Sequence, residues 1–135
     1  MAVLPDNGVV HGLCTLDSPY SVPETVKRVL HVLSERGLTL FARIDHSAGA
    51  SAVGLEMPPT ELLIFGNAKS GTPLMLAAPT LAIDLPLKAL AWQDKEGKVR
   101  LSFNSAEYLQ NRHNIPADLV KNIAGLPSIL EAALR

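Results

Sequence analysis

The sequence predicts one α+β domain, a mainly antiparallel sheet with helices on one face. Three observations carry that prediction: residues 22–36 repeat apolar side chains at helical spacing, residues 98–104 alternate apolar with polar behind a turn, and the chain from Ser105 reads as short helices. A helix stripe and a one-sided strand each need a partner surface, and packing one on the other buries both. The chain has 135 residues, 47% hydrophobic and 19% charged, which is a globular composition with enough length for one core over residues 1–135.

Taken in order, "VVHGLCT" (9–15) is small and β-branched and ends at "DSP", a first strand closed by a turn. Ser21, Pro23 and Glu24 form a capping box with proline in the first turn. Val22, Val26, Val29, Leu30 and Leu33 then share a stripe that excludes Lys27, Arg28, His31, Ser34 and Glu35, and Gly37 stops the helix. "LTLFARIDH" (38–46) has strand propensity, with Leu40, Ala42, Ile44 and His46 facing one way and Phe41, Arg43 and Asp45 the other. "SAGASAVGLEMPP" reads as a loop with room for a short helix, and "TELLIFG" (60–66) as a buried strand.

Thr72 and Pro73 are expected to cap and open a helix over "LMLAA" that Pro79 interrupts, a helical insertion between the third and fourth strands. "LKALAWQ" (87–93) and "KVRLSFN" (98–104) flank the hairpin turn "DKEG", with Val99, Leu101 and Phe103 on the dry face. Three helical pieces follow, "AEYLQNRH", "ADLVKNIAG" and "SILEAAL", the last two opened by Pro116 and Pro127.

Charge and composition bound the function. Twelve Lys and Arg against thirteen Asp and Glu leave a net charge of −1 and no basic stripe, so nucleic acid is not an expected partner. No apolar run approaches the roughly 20 residues that span a bilayer, the start has no leader-like apolar stretch, and Cys14 is the single cysteine. A cytoplasmic protein without membrane partner is the resulting expectation. No HxxxH, CxxC or paired His and carboxylate at helical spacing occurs, so neither a metal nor a cofactor is expected.

"FGNAKSGTP" (65–73) is the most suggestive stretch. Gly66 and Gly71 have the glycine spacing of a phosphate-binding loop, yet Thr72 and Pro73 stand where such a loop carries lysine and a hydroxyl. A turn that starts a helix is the favoured reading, and a small anion held by helix-start amides near Lys69 is the alternative. His46 is the candidate general acid or base, because imidazole titrates near neutral pH, with a hydrogen-bonded structural histidine as the plainer reading. Cys14 has only His11 nearby, three residues away and on the opposite face of a strand, so a catalytic cysteine is not expected. Asp84 sits in an apolar setting that demands partners, and Asn104, Tyr108, Arg112 and His113 gather polar groups at the last strand and its helix.

Four separated segments, "ARIDHSAGA" (42–50), "PPTELLIFGNAKSGTPLM" (58–75), "DLPLKALAW" (84–92) and "YLQNRH" (108–113), together resemble the family called domain of unknown function 302, from about Tyr20 to His113, with the helices at 117–134 added. The resemblance implies a β-α-β4-α domain similar in topology to the TATA-box-binding fold, and a homodimer; shared topology does not carry DNA binding with it. It also marks His46, Gly66, Asn67, Gly71, Asp84, Asn104 and His113 as positions matching the family pattern. That pattern reads GNP where this chain has Gly66-Asn67-Ala68, a loss that loosens the turn. The reading is a binding or sensing domain for a small polar or anionic ligand, contacted by Gly66, Asn67, Lys69, Gly71, Thr72, His46, Asp84, Asn104 and His113. Its alternatives are an enzyme using His46, or a structural interaction module.

Overall fold

The computed structural model describes residues 10–135, so Val9 of the expected first strand, and the expectation about the chain's start, lie outside the described residues. Ten principal elements follow in order: β1 (Leu13–Ser18), α1 (Val22–Glu35), β2 (Thr39–Asp45), α2 (His46–Ala52), β3 (Thr60–Gly66), α3 (Ala68–Ala77), β4 (Leu87–Gln93), β5 (Val99–Asn104), α4 (Ala106–His113) and α5 (Leu126–Ala133). Short 3-10 turns occupy Pro79–Ile83 and Val120–Asn122. The strands form one antiparallel sheet in the order β1-β5-β4-β3-β2, as the α+β prediction requires.

Pairing places alternate residues on two faces. Leu63 and Phe65 of β3, Ala89 and Ala91 of β4, and Val99, Leu101 and Phe103 of β5 are buried against Val22, Val26, Val29 and Leu33 of α1, with Leu126 and Leu130 of α5 completing the core. Each such side chain removed from water contributes roughly 1.5–3 kcal/mol, which is why the stripe of α1 and the alternation of β5 select one register. The opposite face carries Thr15, Ser102, Arg100, Leu90, Trp92, Leu62, Ile64 and Ile44, and no helix covers it among the described residues. Trp92 Nε1 donates to Ser102 Oγ at 2.9 Å, and Thr15 Oγ1 shares a hydrogen bond with the same oxygen at 2.9 Å.

A second, smaller core of Leu74, Ala78, Leu81, Leu109, Ile115 and Ile123 joins α3, α4 and both 3-10 turns. It caps the end of the sheet where β3 stops and β4 begins. The helical insertion therefore builds a lid on the sheet's end instead of a second layer on its face.

Six local expectations need correction. β2 does not keep one alternation: the bulge between Leu40 and Ala42 sets Leu40 opposite Phe65 on the covered face and Ala42 opposite Ile64 on the open one, so Leu40 parts from Ala42 and Ile44. The insertion helix starts at Ala68, because Asn67 in extended conformation (φ −144°) accepts from the Lys69 amide at 2.8 Å and caps it; Thr72 and Pro73 lie inside the helix, where the proline removes only one ladder bond. His46 is not a strand residue: Asp45 accepts from the Ala48 amide at 2.9 Å and turns the chain into α2. Residues 117–125 form turns and a 3-10 segment in place of an α-helix. The first strand begins at Leu13, so His11 stands before it and its ring meets Tyr108 edge-on, centroids 5.7 Å apart. Finally, Ser21 accepts from Glu24 N at 3.2 Å, but the Glu24 carboxylate turns to Arg28 at 3.1 Å, so only half of the capping box forms.

Candidate functional site

Where β3 runs out, Gly66 and Asn67 hand the chain to α3, and the segment before β4 passes beneath them through Leu85, cis-Pro86 and Leu87. These pieces do not close on each other. Between them lies a cavity of about 210 Å3, walled by Leu38 and Phe41 from the start of β2, Gly66, Asn67, Ala68, Ser70, Gly71, Thr72 and Met75 from the turn and α3, Leu85 to Leu87 below, and Asn122 and Ile123 beyond. The wall is mostly carbon, with Asn67, Ser70, Thr72 and Asn122 supplying its polar atoms. Asn122 Nδ2 donates to the Ser70 carbonyl at 3.0 Å and ties the second 3-10 turn to α3.

Gly66, Asn67, Gly71 and Thr72 line one cavity, whereas Lys69 is not part of its wall and is exposed. The amides expected to hold an anion are already engaged. Lys69 N goes to the Asn67 side chain, and Ser70 N and Gly71 N reach the Asn67 carbonyl at 3.1 and 2.8 Å. A helix start with three of its first four amides satisfied internally has little left for a phosphate.

Asp84 and His113 come together beside this cavity. His113 Nε2 hydrogen-bonds Asp84 Oδ2, and Arg112 Nη1 reaches both oxygens of the same carboxylate at 3.2 and 2.9 Å. Thr80 Oγ1 lies 2.8 Å from His113 Nδ1, and the imidazole is only 4% exposed. A carboxylate can only accept, so Nε2 carries the proton, and in a neutral ring Nδ1 accepts from the Thr80 hydroxyl. The order hydroxyl, imidazole, carboxylate is that of a nucleophile relay. Here it knits the first 3-10 turn to α4, and Thr80 lies outside the cavity wall.

Two expected members stand apart. His46 opens α2 at the far end of β2, since Thr39 pairs with Gly66 while Asp45 pairs with Glu61, six residues along the strand; it is exposed, and its ring makes no hydrogen bond among the described residues. Six residues of strand are about 20 Å. Asn104 ends β5 opposite Leu13 and touches neither the cavity nor the Asp84 network. A more open and polar concavity of about 500 Å3 lies there, between His11–Gly12 and Tyr108, Asn111 and Arg112 of α4.

A family model described as domain of unknown function DUF302 matches residues 14–133. The chain belongs to the DUF302 family. A crystal structure of an uncharacterized conserved DUF302 protein from Bacillus stearothermophilus superposes with a TM-score of 0.77 over 93% of this chain and 97% of that one, at 19% identity, which shows the shared fold. Among curated proteins the DUF302 chain is 46% identical over 115 residues to "Fluoride-specific ion channel FluC 1" of Brucella suis biovar 1 (strain 1330) and to "Fluoride-specific ion channel FluC 2" of Brucella melitensis biotype 1 (strain ATCC 23456 / CCUG 17765 / NCTC 10094 / 16M). The match takes in 85% of this chain and 44% and 41% of those proteins, so the chain spans less than half of the curated relatives it matches.

The cavity walls Leu38, Phe41, Met75, Leu85 and Ile123 come from four places in the chain, and no local pattern marks them as a set. Thr80 was equally invisible, because its role depends on where α4 brings His113. The one signal within reach was "DLPLK", whose two leucines flank the proline that floors the cavity.

Proposed function

We propose that this DUF302 domain is a cytoplasmic small-ligand receptor that works as a homodimer, with the cavity at the 66–75 segment as its ligand site. The observation that carries the reading is the cavity itself: about 210 Å3 of carbon-walled space against a rim of Asn67, Ser70, Thr72 and Asn122. An apolar void of about 150 Å3 suffices for benzene, so the ligand is a compact molecule with an apolar body and one polar end. The engaged amides of α3 favour such a ligand over the small anion that the turn alone suggests. The enzyme reading centred on His46 has no comparable support, since that ring stands about 20 Å away along β2.

The curated relatives suggest a setting. No helix among the described residues is long and apolar enough to cross a membrane. In those relatives we therefore assign ion conduction to the larger part outside the match, and to the DUF302 part the role of an appended sensing module. We read this chain as a module of the same kind.

The test is a chemical-shift titration with a panel of small aromatic and branched aliphatic alcohols, amides and carboxylates. Shifts should concentrate on Leu38, Gly66, Gly71 and Ile123 and vanish in Gly71→Leu. A Cβ at Gly71 meets only Leu85 Cδ1 at 3.7 Å and Met75 Cε at 4.0 Å, so the added side chain enters the cavity without clash. Shifts absent throughout the panel, or unchanged in the filled variant, overturn the ligand reading.

A further inference from the structure

We propose that a second copy of this chain pairs with the first edge to edge along β2, antiparallel and about a two-fold axis at Ile44, joining the two five-stranded sheets into one. The inference rests on the homodimer reading and names its surface. β2 is an outer strand, hydrogen-bonded to β3 on one side and, among the described residues, to no strand on the other. An edge of seven residues presents a row of backbone donors and acceptors ready for another strand. Apolar side chains cluster on it: Leu40 is 40%, Phe41 54% and Ile44 39% exposed.

The charges on β2 select a second copy as the occupant. In an antiparallel pair, residues directly opposite share a face, so a self-pairing register must put its axis on a residue. With the axis at Arg43, two guanidinium groups would oppose each other. With the axis at Ile44, Ile44 meets its own counterpart on the open face, and Arg43 opposes the partner's Asp45 twice over by symmetry. Opposite charges directly across a strand pair stabilise it, and like charges do the reverse. Among the described residues both groups have capacity left: Arg43 uses only Nε, toward Glu61 at 2.7 Å, and the hydrogen bonds to the Asp45 carboxylate end on Oδ1. The bulge between Leu40 and Ala42 and the end of β2 at Asp45 leave 42–45 for regular pairing, whose two central residues are Arg43 and Ile44. β1, the other edge, has Asp17 without any cation on the same strand and offers no such complementarity.

Cysteine cross-linking and mass measurement decide it, in a Cys14→Ser background. Across an antiparallel pair at the axis the two Cα atoms lie about 4.5–5.5 Å apart, within the roughly 4.4–6.8 Å a disulfide spans. Ile44→Cys should form an interchain disulfide in high yield under mild oxidation. Ala42→Cys should not, because its counterpart is offset by four residues, about 13 Å. The parent chain should run at twice 14.4 kDa by light scattering, and Ile44→Asp, at an exposed site that folding tolerates, at 14.4 kDa. A dimer in which Ile44→Cys fails to cross-link, or in which both cysteines cross-link equally, overturns the β2 register while the homodimer reading stands. A parent chain that stays at 14.4 kDa at all concentrations overturns both, and leaves the edge to a different partner.

Discussion

Arg43 and Glu61 show how much a single ion pair decides at the sheet's open edge. The Glu61 side chain is 8% exposed, and its one charged partner among the described residues is Arg43 Nε at 2.7 Å, a contact that raises the guanidinium pKa above its ordinary value. Arg43→Ala strands a carboxylate in a dry position, and we expect a loss of about 1–3 kcal/mol by denaturant titration, with Glu61→Gln in the same background recovering part of it. Gly12 is the second such residue. Its φ is +75°, and a Cβ there would fall 2.3–2.8 Å from the Tyr108 side chain. Gly12→Ala should lower the melting temperature and shift the Tyr108 resonances, since both the backbone and α4 must give way.

At the scale of elements, α3 is the least regular helix and the one most open to improvement. Gly71 sits in its interior without left-handed geometry, and a Cβ there meets only ordinary contacts, Leu85 Cδ1 at 3.7 Å and Met75 Cε at 4.0 Å, so Gly71→Ala should stabilise the domain by about 0.5–1 kcal/mol. Asn67→Ala removes the cap and should cost about 1 kcal/mol, and it frees the Lys69 amide as well. For α2 the lever is pH. Hydrogen bonds from the Ser47 hydroxyl and then the Ala48 amide hold the Asp45 carboxyl below its usual range. That contribution is complete above the unfolded value near ~3.9 and fades as pH falls through the lower folded value. Amide-exchange protection factors in 46–52 should therefore fall below about pH 4, ahead of the core, and Asp45→Asn should flatten the response.

For the whole molecule, the elements that pack by period were legible before any coordinates. The α1 stripe, the β5 alternation and the "DKEG" hairpin each sit where their spacing put them, because a 3.6 or 2.0 residue repeat is a local property of the chain. Boundaries set by single caps were harder: Asn67 took the role expected of Thr72, and Asp45 ended a strand expected to run through His46. Of the candidate site, Gly66, Asn67, Gly71 and Thr72 line the cavity and Asp84 meets His113, yet His46 and Asn104 stand elsewhere. Sequence alone determined the fold class and the buried faces of α1 and β5, since burial periodicity is written residue by residue, whereas the bulge in β2 overrode its alternation. Only tertiary structure decided that four distant segments leave a carbon-walled void, and that β2 lies at the sheet's edge. Both depend on which strands become neighbours, and strand order follows from the packing of the whole core, so no single segment carries it.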